Sequence, residues 1–424
     1  MRTALFSFCD NRRVSQEESP VLSYDHAASV VRRYAGELRE AAQRREAERA
    51  ALAAAAGRVL AEPIVADRDQ PPFPRATRDG FACRSVDLQA GGMRVVGQLR
   101  AGEAWTLGAI GPGEAAEIMT GAAVPPGADC VVMVEHTAGN DGFVSLAGGR
   151  QVGAGENIVP AGAEARAGDV VVAAGRRMGA PEIAAAAACG AGELLVFRKP
   201  RIAILATGDE LVEVTEKPRA YQIRNSNSYS LAAQVRAAGG EPVPKPIVRD
   251  DKAATEGAIR EALACDLILL TGGVSMGKFD FVEQALVALG AEFYFTGAKI
   301  QPGKPVVFGK VEERYFLGLP GNPISTMVTF ALFAAPLVRA LGGENGGGPQ
   351  FRMAQLKEEV EVKAGLTRFL PAMIESSVRG AEVRRIGWQG SGDLAAAAKA
   401  NAFLVIPETA ERLTAGEIVT VMEI

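Results

Sequence analysis

The sequence predicts a multidomain α/β plus β protein, and three features of the 424-residue chain lead to that prediction. Strand-like and helix-like segments alternate from Lys199 to Leu341, which is typical of a doubly wound α/β domain with mostly parallel strands. Short β-type runs broken by glycine and proline fill residues 66–162, and further short strands follow the linker-like segment 342–349. We therefore expect a helix-rich N-terminal domain with an inserted all-β domain, then an α/β domain and a small C-terminal β domain.

Composition excludes several classes of protein. The hydrophobic content of 48% is that of an ordinary water-soluble protein. A formal net charge of −4 and a pI of about 5.6 argue against general binding to nucleic acid or to anionic membranes. The five cysteines show no metal-binding spacing, which favours a reduced, cytoplasmic protein, and two histidines are too few for a zinc site. We find no apolar run of transmembrane length, so no membrane association is expected.

The N-terminal segments predict a tail followed by helices. The pattern from Val21 to Glu62 is helical, and the alanine-rich, charge-interleaved stretch Arg39–Ala56 favours helix most strongly. A second helix is expected at Pro181–Cys189, where proline is well placed in a first turn. The expected bounds are 1–20 for the flexible tail, and 21–65 together with 163–198 for the helix-rich domain.

The inserted β domain, residues 66–162, contains two polar side chains in turn-rich sequence. Prolines between Asp67 and Arg84 exclude a helix there, and Asp79-Gly80 is a turn signal. Thr120 lies in a second stretch that is too dense in glycine and proline for a simple hairpin. Each residue has a plain structural interpretation, since an aspartate or a threonine hydroxyl commonly hydrogen-bonds the main chain of its own turn. The alternative is a contact with a ligand.

The α/β domain, residues 199–345, places acidic residues where strands end. Ligands of such sheets bind at the carboxyl ends of the strands. Glu210 follows the strand Arg201–Ala206, Asp250 follows an extended segment, and Asp280 lies beyond the central strand. Three carboxylates at three such ends point to a site, although Asp250 and its neighbour Asp251 are also good candidates for helix N-caps.

The central strand runs into Gly272-Gly273 before a helix-like pattern begins near Phe281. Strand, glycine turn and helix form a phosphate-binding layout, because glycine lets the main chain approach an anion and helix N–H groups point at it. A carboxylate such as that of Asp280 beside a phosphate indicates a divalent cation between them. The competing interpretation is a tight turn that needs positive φ. Lys304 is flanked by glycine and proline, which favours a contact with an anion. The equally reasonable alternative is that Lys304 is an ordinary solvated lysine.

The remaining segments complete the prediction. Pro320-Gly321-Asn322 joins a strand to an apolar helix that reaches about Leu341. Residues 346–424 form the C-terminal β domain, whose expected strands are Phe351–Val362, Arg368–Met373, Glu382–Ile386 and Ile418–Met422.

Taken in order, these motifs resemble those of the molybdopterin molybdenumtransferase family, which includes bacterial MoeA and the E domain of gephyrin. The resemblance covers the chain from about Val21 to its end. The motifs that carry it are Arg78-Asp-Gly-Phe-Ala, Met119-Thr-Gly-Ala-Ala-Val-Pro, Gly155-Glu-Asn-Ile, Thr207-Gly-Asp-Glu-Leu, Arg249-Asp-Asp, Gly272-Gly-Val-Ser-Met-Gly-Lys-Phe-Asp, Pro302-Gly-Lys-Pro, Gly318-Leu-Pro-Gly-Asn-Pro and Trp388-Gln-Gly-Ser.

The resemblance implies an activity and its reactants. Members of the family complete the molybdenum cofactor: they insert molybdenum from molybdate into adenylylated molybdopterin and release AMP in a Mg²⁺-dependent step. It also implies a cytoplasmic homodimer of four-domain subunits whose active site lies between the α/β domain of one subunit and the inserted β domain of the other. Molybdopterin adenylyltransferase and molybdoenzyme apoproteins are the candidate protein partners.

Site residues follow from the resemblance by position. The acidic residues Glu210, Asp250 and Asp280 match the metal and catalytic positions, and Asp79 with Thr120 matches the contribution of the partner subunit. The positions that match cofactor-binding residues are Gly272, Gly273, Ser275, Lys304, Pro320, Asn322, Arg368 and Ser391.

The chain departs from the family at several positions. Ala76 and Arg78 replace a common Ser and Met, and Asn157 replaces a common Asp. Gly297 and Gln301 stand where some members have lysines that are associated with anion binding. Lys299 could compensate for them if its segment is extended, since alternate residues of a strand share a face.

Three alternatives remain open. Molybdopterin adenylyltransferase shares the α/β domain, but it usually consists of that domain alone. A non-enzymatic molybdopterin carrier or scaffold is disfavoured by carboxylates at four motif positions, because clustered acidic groups destabilise a fold that does not use them. Molybdate and tungstate are tetrahedral dianions of nearly equal size, so a tungstate enzyme would have the same sequence features.

Overall fold

The computed structural model of the protein describes residues 21–44, 47–89, 91–148, 150–273 and 281–424. The predicted N-terminal tail, Ser275 and Asp280 lie outside these ranges. The fold is the predicted one: a helix-containing domain with an inserted β domain, a doubly wound α/β domain and a C-terminal β domain.

A six-stranded sheet forms the centre of the α/β domain. Its first four strands are parallel, as predicted, and an antiparallel pair completes one edge. In order across the sheet, the strands are Glu241–Pro244, Arg201–Ala206, Leu267–Thr271, Arg314–Leu319, Val307–Val311 and Glu292–Phe295.

Both faces of this sheet are covered by helices. Leu267 and Leu269 of the central strand belong to one buried cluster, whereas Ile268 and Leu270 belong to the cluster on the other face. A strand buried on both faces is therefore a continuous apolar run, as its sequence predicts. The helices of the domain are Asn227–Ala237, Lys252–Ala262, Phe281–Ala288, Pro323–Thr329 and Ala335–Leu341, and a π-helical segment, Phe330–Ala334, joins the last two.

The long N-terminal helix, Tyr24–Gln43, packs on the α/β domain. Ser23 caps it by accepting a hydrogen bond from the His26 N–H at 3.3 Å. Its buried residues Ala27 and Val31 share a cluster with the side chains of the Pro323–Leu341 helical segment.

One predicted helix is wrong in its second half. The helix expected over Arg39–Ala56 ends at Gln43, and Ala47–Ala51 is instead a β-strand paired with Glu193–Phe197. The intrinsic preference of alanine for helix is a weak term that an antiparallel partner strand overrides. Of the predicted helical continuation from residue 47 to 56, the structure keeps only the 3-10 turn Leu52–Ala54.

The N-terminal domain is small and rich in alanine. Its core gathers apolar side chains from both of its chain segments, including Leu60, Met178 and Val196. The predicted second helix is confirmed at Ala180–Ala188, with proline in its first turn. The remaining strands of this domain are Ile64–Val65 and Val170–Val172.

The inserted domain is all-β, as predicted. Across its six-stranded sheet the strands are Cys130–Met133, Gly80–Cys83, Glu114–Ile118, Met93–Leu99, Phe143–Leu146 and Thr137–Asn140. The strands Arg75–Ala76 and Ile158–Val159, near the two ends of the inserted domain, form a separate short antiparallel pair. Two 3-10 turns, Ser85–Asp87 and Val134–His136, complete the elements.

The C-terminal domain is a closed barrel of five strands. Around the barrel they are Thr367–Ser377, Gly380–Arg385, Phe351–Leu356, Ile418–Glu423 and Ala402–Ile406, the last of which pairs with the first. Ile300–Gln301 of the α/β domain joins this barrel as a parallel strand beside Thr367–Arg368. Outside the barrel lie the strand pair Val360–Glu361 and Arg412–Leu413 and the short helix Leu394–Ala397.

Among the described residues, one helical segment, Pro323–Leu341, is long and apolar enough to cross a membrane. The expectation that no segment reaches that length is therefore wrong. Most of this segment is buried between the sheet and the Tyr24–Gln43 helix, where it serves as the core of the α/β domain.

Candidate functional site at the carboxyl edge of the central sheet

The Gly272-Gly273 turn ends the central strand in a conformation that requires glycine. Both residues have positive φ, +88° and +58°. A Cβ atom on Gly272 would lie 2.4 Å from the main-chain oxygen of Thr207, and one on Gly273 would lie 2.9 Å from the Thr207 Oγ1. The turn thus packs its bare main chain against the end of the neighbouring strand, a close approach that only glycine allows.

Two acidic loops lie beside this turn. The Gly208 N–H donates to the Val248 carbonyl at 3.2 Å, which joins the two strand ends. The Asp209 N–H donates to Asp250 Oδ2, and the Asp250 N–H donates to Asp209 Oδ1, both at 3.4 Å. The predicted residues Asp250 and Glu210 therefore follow two hydrogen-bonded strand ends, and both carboxylates are exposed.

The N-cap alternative for this region is resolved in favour of Asp251. Its Oδ1 accepts from the Ala254 N–H at 2.8 Å and caps the helix Lys252–Ala262. Asp250 does not cap the helix, so its carboxylate is available for another role.

The described carboxylates fit a magnesium ion only in part. Mg²⁺ at phosphate sites commonly uses one or two carboxylates together with water and phosphate oxygens. Glu210 and Asp250 supply two exposed carboxylates of this kind. Within the described ranges, no group of three acidic, histidine or cysteine side chains is placed to hold a metal, and the third predicted ligand, Asp280, lies outside them.

A third loop, Pro320-Gly321-Asn322, closes against the glycine turn. Thr271 Oγ1 donates to the Pro320 carbonyl at 3.3 Å, and Thr326 Oγ1 donates to the same oxygen at 2.5 Å. The Cα atom of Gly272 lies 3.6 Å from the position of a Cβ on Gly321. Pro320 and Asn322 therefore lie at the same edge of the sheet as Gly272 and Gly273.

The C-terminal barrel adjoins this edge. The Ser391 carbonyl accepts from the Ile324 N–H at 2.9 Å, which places Ser391 at the start of the helix that follows Asn322. Arg368 is buried, with its Nη1 donating to the Leu366 carbonyl at 3.2 Å, and it is paired in register with Gln301. Lys304 is exposed beyond that strand.

The side chain of Lys299, which could compensate for Gly297 and Gln301 in an extended segment, lies beside an acidic residue of the C-terminal domain. Its Nζ lies 3.6 Å from Glu408 Oε1 of the C-terminal domain. A Cβ on Gly297 would lie 3.1 Å from Val21 Cγ2, so this position is packed against the start of the described chain. The Ile300 N–H donates to the Ala298 carbonyl at 2.8 Å, so the chain turns at Lys299, and the segment does not meet the condition for compensation.

Asp79 and Thr120 form a pair in the inserted domain. Asp79 Oδ1 accepts from the Thr120 N–H at 2.6 Å and from Thr120 Oγ1 at 2.7 Å. These hydrogen bonds, that from the main chain first, hold the pKa of Asp79 below its ordinary value. The interpretation that each residue supports its own turn is therefore wrong, because these hydrogen bonds join two turns that lie 41 residues apart in the chain. Among the described residues, no side chain hydrogen-bonds the second carboxylate oxygen of the exposed Asp79, so this oxygen can act elsewhere.

The departure at Asn157 has a local explanation. The residue has a φ of +59°, a conformation that asparagine tolerates well. Its Nδ2 donates to the Val131 carbonyl at 2.9 Å. An ionised aspartate, which only accepts hydrogen bonds, could not make this contact.

Sequence reasoning missed Asn227 and Thr207. Asn227 Nδ2 donates to Thr271 Oγ1 at 2.9 Å and to the Gly321 carbonyl at 2.8 Å. Thr207 Oγ1 is buried without a hydrogen-bond partner among the described residues. The available signal for Asn227 was the polar Asn225-Ser-Asn-Ser stretch at the start of a helix-like segment.

Comparison with known proteins covers nearly the whole chain. Three family models match: the MoeA N-terminal region (domain I and II) over residues 22–190, a probable molybdopterin binding domain over 203–340, and the MoeA C-terminal region (domain IV) over 353–424.

Individual relatives agree with these models. A molybdopterin molybdenumtransferase of Nostoc is 34% identical over 396 residues, covering 88% of each chain. One from Staphylococcus aureus is 33% identical over 379 residues, covering 88% of this chain and 90% of its own. A crystal structure of the molybdopterin biosynthesis moeA protein from Pyrococcus horikoshii matches with a TM-score of 0.76 and 28% identity, covering 96% of this chain and 100% of that one. The chain therefore belongs to the molybdopterin molybdenumtransferase family.

Proposed function

We propose that the protein inserts molybdenum from molybdate into adenylylated molybdopterin and releases AMP, as the last step of molybdenum cofactor synthesis. Family membership supports the general activity. The observation that carries the residue-level proposal is the convergence of a glycine turn, two acidic loops and the Pro320-Gly321-Asn322 loop at one edge of the sheet.

Each group has a chemical role in this proposal. The main chain at Gly272 and Gly273 binds the terminal phosphate of the molybdopterin, because a turn without side chains lets oxygen atoms approach closely. Ser275, Lys304, Asn322, Arg368 and Ser391 are assigned to the remaining polar contacts with the substrate or with molybdate. Of the two cations in this set, Arg368 is buried and hydrogen-bonded to the main chain, whereas Lys304 is exposed.

The acidic residues Glu210, Asp250 and Asp280 would hold Mg²⁺. When bound, the ion supplies positive charge that offsets the phosphoanhydride as that bond is cleaved.

Asp79 and Thr120 are proposed to act on the site of a second subunit in a cytoplasmic homodimer. All of their hydrogen bonds among the described residues stay within the inserted domain. A shared site explains why these motif residues form a pair so far in sequence from the glycine turn. Asp79→Ala and Asp280→Ala, each inactive alone, should then regain partial activity as mixed dimers. Failure to complement despite proven subunit exchange would contradict the shared site.

The decisive experiment measures AMP release from adenylylated molybdopterin by the purified protein with Mg²⁺, in the presence and absence of molybdate. Molybdate-stimulated release is the expected result. Intermediate that stays bound without AMP release would favour a carrier, with Gly297 and Gln301 as the first positions to restore to lysine. Parallel assays with tungstate determine the preferred oxyanion, and added molybdopterin adenylyltransferase or apo-molybdoenzyme tests the proposed transfer partners.

Adjacent aspartates provide a matched control. Asp250→Asn should reduce AMP release at least about 100-fold, because an amide is a poor Mg²⁺ ligand. Asp251→Asn should remain near wild type, since asparagine caps a helix as well as aspartate does. Equal activity of the two variants would remove Asp250 from the metal site.

A further inference from the structure

Two loops of the site are joined by one asparagine side chain. Asn227 Nδ2 donates to Thr271 Oγ1 at 2.9 Å, immediately before the glycine turn, and to the Gly321 carbonyl at 2.8 Å. Thr271 Oγ1 in turn donates to the Pro320 carbonyl at 3.3 Å. The glycine turn and the Pro320-Gly321-Asn322 loop follow neighbouring parallel strands, and this side chain spans the gap between them.

Chemistry determines the orientation of the Asn227 amide. The Gly321 carbonyl can only accept a hydrogen bond, so the amide atom beside it must be the nitrogen. Thr271 then accepts from the second N–H, which leaves its own hydrogen to donate to Pro320. The hydrogen bonds therefore run in one direction, from the Asn227 amide to the Thr271 hydroxyl and from that hydroxyl to the Pro320 carbonyl.

The amide is not required by the helix that begins at Asn227. The first turn of that helix is stabilised by Asn225, whose Oδ1 accepts from the Ser228 N–H at 3.1 Å and whose Nδ2 donates to Ser228 Oγ at 2.9 Å. Asn227 Oδ1 is buried and has no hydrogen-bond partner among the described residues. Burial of an unsatisfied oxygen destabilises the fold, so the oxygen gives no reason for an asparagine at this position. The reason lies in the hydrogen bonds that its nitrogen donates to Thr271 and Gly321.

We infer that Asn227 is a positioning residue: it sets the spacing between the glycine turn and the Pro320-Gly321-Asn322 loop, and through them the geometry with which phosphate and pterin groups are bound. The inference rests on the proposed function of this edge. Asn227 need not contact substrate, and it acts through Thr271 and Gly321.

The test compares Asn227→Ala with Asn401→Ala. Asn401 is a suitable control because its side chain also makes two main-chain hydrogen bonds, from the Ile374 N–H at 2.7 Å and to the Ile374 carbonyl at 2.9 Å, in the C-terminal barrel. With Asn227→Ala, we expect the KM for adenylylated molybdopterin to rise about tenfold while kcat changes less than about threefold, since binding geometry rather than chemistry is relaxed. Asn401→Ala should leave KM unchanged.

A second readout does not depend on activity. Hydrogen exchange of the peptides that contain Gly273 and Gly321 should accelerate about tenfold in Asn227→Ala and stay unchanged in Asn401→Ala. Unchanged exchange and KM in Asn227→Ala would overturn the inference, even if the wild-type protein releases AMP. If the wild-type protein releases no AMP but exchange still accelerates in Asn227→Ala, the proposed function is refuted and the positioning role of Asn227 stands.

Discussion

Replacement of Gly272 by alanine tests the central geometrical feature of the site. The added methyl group would lie 2.4 Å from the main-chain oxygen of Thr207, whereas real Cβ atoms essentially never come within 3.0 Å of a neighbour. One of the two strand ends must therefore move. The hydrogen bond from the Thr207 N–H to the Thr271 carbonyl, 3.0 Å long, lies directly at this point and should be distorted.

The expected cost has two separable parts. Positive φ costs an alanine about 1 kcal/mol wherever it occurs. Overpacking against a main-chain oxygen adds about 1–3 kcal/mol. Gly290→Ala provides the control, because Gly290 has a φ of +74° and no neighbouring atom within 4 Å of a Cβ. The variant at Gly272 should thus be less stable by about 2 kcal/mol than the variant at Gly290.

Hydrogen exchange measured by mass spectrometry is the appropriate assay, since a multidomain chain does not unfold in one step. The peptide covering Leu267–Gly273 should lose about 30-fold more protection in Gly272→Ala than in Gly290→Ala, the equivalent of about 2 kcal/mol. AMP release should be lost only in the Gly272 variant. Equal protection in the two variants would refute the close approach of the turn to Thr207.

The remaining predictions concern the inserted domain. Thr120→Val removes one of the two donors to Asp79, so the pKa of Asp79 should rise toward its ordinary value of 3.8 while remaining below it, as ¹³C NMR of labelled aspartate would show. Because the lowered pKa favours the ionised form, the Asp79–Thr120 contact should be constant above about pH 5 and weaken only in stronger acid, and an Asp79 titration near neutral pH would contradict this. Cys83 and Cys130 are buried with their sulfur atoms 3.6 Å apart, and the hydrogen bond with Cys83 together with burial raises the pKa of the Cys130 thiol. Thiol reagents should therefore modify neither cysteine before the domain unfolds, and rapid labelling of the folded protein would be inconsistent with this packing.

Much of the α/β domain could be predicted from sequence because its signals are local. The strand Arg201–Ala206 has the predicted bounds. The helical patterns Ser226–Ala238 and Lys252–Ala264 predict helices that the structure places at Asn227–Ala237 and Lys252–Ala262. Continuous apolar runs, glycine turns and helix caps all depend on neighbouring residues. Since parallel strands share a carboxyl edge, the meeting of these loops also followed from sequence order.

Features that depend on distant partners were not predictable in the same way. Ala47–Ala51 has helical propensity and becomes a strand because Glu193–Phe197, far along the chain, provides its hydrogen bonds. The strand Ala402–Ile406, which closes the barrel, has no separate sequence signal that we recognised. Likewise, the Lys299 side chain turns toward Glu408, in the last part of the chain. Each case is decided by a tertiary contact rather than by a local pattern.

The same distinction explains why Asn227 was missed whereas Asp250 was found. A carboxylate just past a strand end has a chemical meaning that sequence position alone conveys, because metal ligands and phosphate neighbours gather there. An asparagine in the first turn of a helix has no such meaning until the carbonyl it reaches, that of Gly321, is known. Residues that touch a ligand are thus marked by their type and position, whereas residues that set the spacing between ligand-binding loops are recognised only from the hydrogen bonds they make. Positions of the second kind, which connect two motifs without belonging to either, are where structure adds most to the description of this site.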